Sequence, residues 1–91
     1  MGTSNGRKSI FITGAASGMG RETALLFARN GWFVGGFDVQ EPLLATLVDE
    51  IGAENCLVRR LDVADREDYR AAIDAFGAAT GGKMDILYNN A

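Results

Sequence analysis

Eight residues, Thr13-Gly14-Ala15-Ala16-Ser17-Gly18-Met19-Gly20, constrain this chain more than any others. They form a glycine-punctuated turn between a short apolar run and an amphipathic one. Three glycines within seven residues remove Cβ atoms that would hold a ligand off the backbone, and they permit the positive φ values that aim successive N–H groups at one point. A helix starting at this turn adds its unpaired first-turn amides and the positive end of its dipole, so a pyrophosphate finds donors there without Lys or Arg. Gly14 is expected to make the tight turn, Gly18 to let a ligand approach, and Gly20 to let the helix pack closely on a sheet. The spacing Gly-x3-Gly-x-Gly departs from G-x-G-x-x-G, because Thr23 stands where a further glycine would be needed. It also lacks the Lys-Ser/Thr pair of a Walker loop. Alone, such a loop could be no more than a turn.

The flanking pattern supplies context. Lys8 to Thr13 reads as a strand covered on both faces, and Gly18 to Asn30 as a helix with Met19, Thr23, Leu26, Phe27 and Asn30 at helical spacing. Trp32 to Phe37 reads as a second strand ending in Asp38, where Gly35 and Gly36 point to something packed close to the backbone. Glu41-Pro42 opens a helix whose apolar face is Leu43, Leu44, Leu47, Val48 and Ile51. Asn55 to Leu61 is a third strand, with Arg59 and Arg60 better suited to a sheet edge than a centre. Asp65 caps a third helix carrying Tyr69, Ala72, Ile73 and Phe76, and Asp85 to Tyr88 is a fourth strand followed by Asn89-Asn90-Ala91. Strands alternating with helices through short connections require parallel pairing and right-handed crossovers. The expected fold is α/β, an open doubly wound parallel sheet of spatial order 3-2-1-4, with the glycine turn at the switch point.

Composition closes off other classes. Ninety-one residues, 47% hydrophobic and 23% charged, make one globular unit, and residues 1–7 read as a flexible leader. The net charge of −3 is interspersed, with no basic stripe for nucleic acid. No run approaches a membrane span. Histidine is absent, which removes His-based catalysis and most zinc sites, so no metal site is expected. The lone cysteine, Cys56, lies in an apolar run and reads as a core thiol, as in a reducing, cytoplasmic setting.

Four features now fall on the carboxyl edge of one sheet: the glycine turn, Asp38, Asp62-Val63 and Asn89-Asn90-Ala91. Together they resemble the N-terminal half of a short-chain dehydrogenase/reductase. That family carries T-G-x-x-x-G-x-G, here Thr13 to Gly20; D-V after the third strand, here Asp62-Val63; and N-N-A-G, here as far as Ala91. The resemblance runs from Lys8 to Ala91 and implies a Rossmann-type, NAD-binding half-domain over residues 8–91. It implies that Gly14, Ala16, Ser17, Gly18, Met19 and Gly20 border the pyrophosphate and nearby ribose. Asp38 would accept from the adenosine ribose hydroxyls and repel a 2′-phosphate, favouring NAD over NADP, with Ser17 and Val39 where NADP-preferring relatives tend to carry Arg or Lys. Asp62 and Val63 would border the adenine, Asn90 and Ala91 would pass under the ribose, and Asn89 would tie the fourth strand to its neighbours. As bland alternatives, Asp38 could simply cap a strand end, and Asp62-Val63 could simply lead into a capped helix.

The family's Ser and Tyr-x-x-x-Lys do not occur here: Tyr69 is followed four residues on by Ile73, and Tyr88 lies in the fourth strand. No residue of this chain is therefore expected to be catalytic. The expectation is a cofactor-binding portion truncated before the catalytic half, inactive alone, and paired with a C-terminal half or with itself through the open edge of strand four. Two rivals stand beside it. One is a stand-alone nucleotide-binding or interaction module; the other is a methyltransferase-like domain, weakened by Ile12-Thr13 where such folds place an acid before the glycines.

Overall fold

A computed structural model describes residues 2–90. Its elements are β1 (Ser9–Thr13), α1 (Gly18–Arg29), β2 (Phe33–Asp38), α2 (Glu41–Ile51), a 3-10 turn (Ala53–Asn55), β3 (Cys56–Arg60), α3 (Arg66–Thr80) and β4 (Ile86–Asn89). The four strands form one parallel sheet in the order β3-β2-β1-β4, so β1 is central and its carboxyl end delivers the glycine turn. That is the Rossmann-like order expected from the alternation of elements.

Period-two alternation in β1 sends its residues to opposite layers. Ile10 and Ile12 join Val34, Ala24, Leu44 and Leu47 under α1 and α2, whereas Phe11 joins Phe33, Phe37, Leu57, Ala72 and Phe76 under α3. The second layer is aromatic: Phe11 stacks on Phe37 at 4.2 Å between centroids and meets Phe76 edge-on at 5.3 Å. Gly35 explains how these rings fit, since a Cβ there would stand 2.6 Å from two Phe76 ring atoms. Phe76 is what packs against the strand backbone.

Two expectations need correction. Helix α1 has the expected period but a different phase: Gly20 and Ala24 are its buried residues, while Met19 and Leu26 are 72% and 51% exposed. The cause is close packing. A Cβ on Gly20 would overlap the Gly14 carbonyl oxygen, so only small residues fit at the closest approach to the sheet, Leu25 and Phe27 pack beside it half-buried, and Met19 and Leu26 turn outward. Strand β2 lies one residue later than Trp32 to Phe37. Trp32 packs edge-on against Phe27 outside the strand, and Asp38 enters it opposite Arg60.

Residues 2–7 lie against the amino end of β3 and the last turn of α3. The buried Ser4 donates its N–H to the Ala79 carbonyl at 2.9 Å. Arg7 donates to Asn55 Oδ1 at 2.7 Å and lies over the Phe33 ring.

Candidate cofactor site

The turn after β1 gives its three glycines different surroundings. Gly14 leaves the strand with φ +67, and Gly18 sits at φ +58 with nothing near its missing Cβ. Gly20 is shut in, its missing Cβ blocked by Gly14 O and 2.8 Å from Asn90 Nδ2. One glycine turns, one leaves open space, and one packs the helix.

Ser17 occupies the N-cap of α1 in extended backbone, yet its side chain makes no capping hydrogen bond. No acidic side chain sits in the first turn either. The amides of that turn have no intrahelical acceptor by geometry, so they and the dipole are left facing outward beside the exposed Ser17, Gly18 and Met19. This is a built place for an anionic group, and the open space at Gly18 lets that group reach the backbone. The residues present therefore fit a pyrophosphate.

The end of β2 is laced to the turn. The Phe37 carbonyl accepts from Ala15 N at 3.1 Å, and Asp38 Oδ2 accepts from Ala16 N at 3.0 Å. Asp38 Oδ1 accepts from Gln40 N at 3.1 Å. Each oxygen retains a second lone pair, so the carboxylate can hold the loop and still accept from a diol. Beyond it, Gly14, Asp38, Val39, Leu61, Asp62 and Val63 line a cleft of about 200 Å³. A pocket enclosing a whole drug-sized ligand runs to roughly 300–1,000 Å³, so this cleft suits one ring rather than a dinucleotide. Val39 and Val63 offer it apolar surface, being 52% and 40% exposed.

At the end of β4, Thr13 Oγ1 donates to Asn89 Oδ1 at 2.7 Å and accepts from Asn90 N at 3.0 Å. Asn89 thus ties β4 to β1. Asn90 Nδ2 donates to Gly14 O at 3.4 Å, which sets its amide against the glycine turn. Ala91, assigned to the site from sequence, lies outside the described residues. The structure thus brings Gly14, Ala16, Ser17, Gly18, Met19, Gly20, Asp38, Asp62, Val63 and Asn90 to one edge of the sheet.

Two participants escape sequence reasoning. Thr13 clips two strand ends together, and its place in the motif was the only signal for it. Asp68 is the other. Its Oδ2 accepts from Asp62 N at 2.9 Å and its Oδ1 from Arg59 Nη1 at 3.0 Å. The Asp62 N–H and then the Arg59 guanidinium hold its carboxyl below the usual carboxylate range. Cys56 lies at the opposite end of the sheet, and burial pushes its thiol up, which removes it as a nucleophile. Among the described residues no helix is long and apolar enough to cross a membrane, and no cluster of three or more His, Cys, Asp or Glu is placed to hold a metal.

Comparison with known proteins adds to this geometry. A family model described as short chain dehydrogenase matches residues 8–91. Momilactone A synthase of Oryza sativa subsp. japonica is 42% identical over 84 residues, which is 92% of this chain and 30% of that protein. A short chain dehydrogenase/reductase of Burkholderia phymatum, solved in complex with NAD, superposes with TM-score 0.83 at 34% identity, covering 92% of this chain and 30% of that one. An actinorhodin polyketide ketoreductase solved with NADPH gives TM-score 0.86 at 29% identity, covering 100% of this chain and 35% of that one. The chain thus spans about a third of the length of the proteins it matches.

Proposed function

The chain belongs to the short-chain dehydrogenase family, and from that premise we propose that residues 8–91 are the NAD-binding portion of an oxidoreductase acting on an alcohol or carbonyl substrate. The observation that carries the proposal is a convergence at the carboxyl ends of β1, β2 and β3. Unanswered first-turn amides, the open Gly18, the Asp38 carboxylate and a ring-sized cleft lie there in the order of a dinucleotide's pyrophosphate, ribose and base. When bound, nicotinamide supplies the hydride acceptor or donor.

The chain's own residues bind and orient. Ser17, Gly18, Met19 and Gly20 meet the pyrophosphate at the start of α1, within a frame set by Gly14 and Ala16. Asp38 accepts from the ribose diol, and its charge opposes a 2′-phosphate, so NAD is taken in preference to NADP. Asp62 and Val63 border the adenine, and Asn90 lies below the nearer ribose; Ala91, which the sequence also assigns there, lies outside the described residues. The general acid/base chemistry of the parent belongs to a further segment, since the chain has no Tyr-x-x-x-Lys. On β4, which pairs only with β1 among the described residues, Ile86 and Leu87 are 37% and 51% exposed. That edge takes the next strand of a longer chain or, failing that, a second copy. The protein works in the cytoplasm.

Calorimetric titration of the 91-residue chain tests the reading. Saturable NAD binding is expected, with weaker NADP binding, and Asp38→Ser should narrow the gap. Material that binds neither dinucleotide overturns the function; NADP binding as tight as NAD overturns the role of Asp38. No nicotinamide-dependent turnover is expected from these residues alone, and sustained turnover would show that the chemistry does not need the further segment.

A further inference from the structure

Asp68 does work that helix α3 does not need. The N-cap of that helix is served by Asp65, whose Oδ1 accepts from both Glu67 N and Asp68 N. Freed from capping, the Asp68 side chain turns back across the loop to β3. One oxygen takes the Asp62 N–H, and the other takes Arg59 Nη1, which also donates to the Arg60 carbonyl at 3.1 Å. Both partners are partly shielded, with 21% of the Asp68 and 34% of the Arg59 side chain exposed.

The consequence falls on Asp62. Its backbone N–H is fixed by Asp68, its carbonyl accepts from Asp65 N at 3.0 Å, and its own Oδ1 accepts from Ala64 N at 3.0 Å. Three restraints define the residue, and among the described residues no hydrogen bond engages Oδ2 on the residue that lines the ring-sized cleft. A carboxylate oxygen is an acceptor only, so what it selects is a ligand N–H.

Building on the proposed NAD site, we propose that Asp68 is a positioning residue for base recognition: held between Arg59 and the Asp62 N–H, its carboxylate fixes Asp62 so that Oδ2 selects a purine bearing an exocyclic amine. Selection arises because a purine with a carbonyl in that place sets acceptor against acceptor, and a buried polar group left unpaired is what discriminates. The pair Arg59–Asp68 adds charge-assisted strength to the brace without touching the ligand.

The test compares NAD with nicotinamide hypoxanthine dinucleotide, in which a carbonyl replaces the adenine amine, by titration of the 91-residue chain. The parent should prefer NAD by about tenfold, the scale of one hydrogen bond to a charged acceptor. Asp68→Ala should bring the ratio close to one, while Asp68→Asn, which keeps an acceptor for the Asp62 N–H, should retain most of it. An Asp68→Ala chain that keeps the parental ratio, or loses both ligands equally, overturns the proposal. If that variant does not fold, Arg59→Gln replaces it: a reduced ratio supports the brace and an unchanged ratio overturns it. A parent that binds neither dinucleotide removes the site itself, and a parent that binds both equally removes only the selection.

Discussion

Gly20→Ala separates two opposed expectations and exposes what the glycine turn is for. Helix propensity alone predicts a gain, because Ala is favoured over Gly by up to about 1 kcal/mol in a helix. Packing predicts a loss. The new Cβ would overlap Gly14 O and stand 2.8 Å from Asn90 Nδ2, which itself donates to that carbonyl. The Asn90 amide can swing aside, but Gly14 O is backbone and Gly14 is already committed at φ +67, so α1 must withdraw until the new Cβ and Gly14 O are at least 3.0 Å apart. Overpacking of this kind costs roughly 1–3 kcal/mol. That exceeds the propensity gain and is a large share of the roughly 5–14 kcal/mol available to a domain of this size. Urea unfolding followed by the emission of Trp32, the single tryptophan, is a suitable assay. Its ring meets Phe27 of α1 edge-on at 4.9 Å, so native emission reports helix position as well as unfolding. With a urea slope of about 1–3 kcal/mol/M, the midpoint should fall by about 1 M, and native emission should shift. A midpoint equal to or above the parent's refutes the packing argument and leaves Gly20 as a matter of propensity.

Two further outcomes follow from the packing and the charge network. Gly35→Ala places a Cβ 2.6 Å from the Phe76 ring, which is hemmed in by Phe11, Phe33 and Phe37, and should cost about 1–3 kcal/mol in the same unfolding assay; Phe76→Leu in that background should recover part of it. Asp68 has a lowered folded-state pKa, owed first to the Asp62 N–H and then to Arg59, so its contribution is complete above the unfolded value and fades as pH falls below about 4. Unfolding curves taken from pH 6 to pH 3 should therefore drop less steeply for Asp68→Asn than for the parent, and parallel curves would show that the carboxylate adds nothing.

The fold was legible because its signals are local and repeated: apolar runs ending at Gly14, Asp38, Asp62 and Asn89 alternate with amphipathic helices, and short connections leave one topology. The phase of α1 was not legible, since apolarity picks out Met19 and Leu26 whereas the residues fully buried against the sheet are Gly20 and Ala24. Gly35 announced a close approach without saying that Phe76, forty-one positions along the chain, makes it.

The same limit applies to the acidic residues at the site, and there it bears on function. Asp38 and Asp62 look alike in sequence, each an acid at a strand end, and Asp68 reads as one more acid in the first turn of a helix. Register and the return of α3 separate them. Asp38 stands opposite Arg60 and accepts from Ala16 N, so the carboxylate proposed to choose the cofactor also holds the loop that would bind its pyrophosphate. Cofactor choice and loop order are thereby joined in one side chain. An Asp38→Ser exchange that admits NADP also gives up a hydrogen bond to a charged group, worth about 1.5–3 kcal/mol. Asp68 carries no such double duty, because its partners Arg59 and the Asp62 N–H lie on the protein side of the cleft. Substitution there changes the brace without removing an atom that meets the ligand, so base recognition can be perturbed independently of cofactor choice.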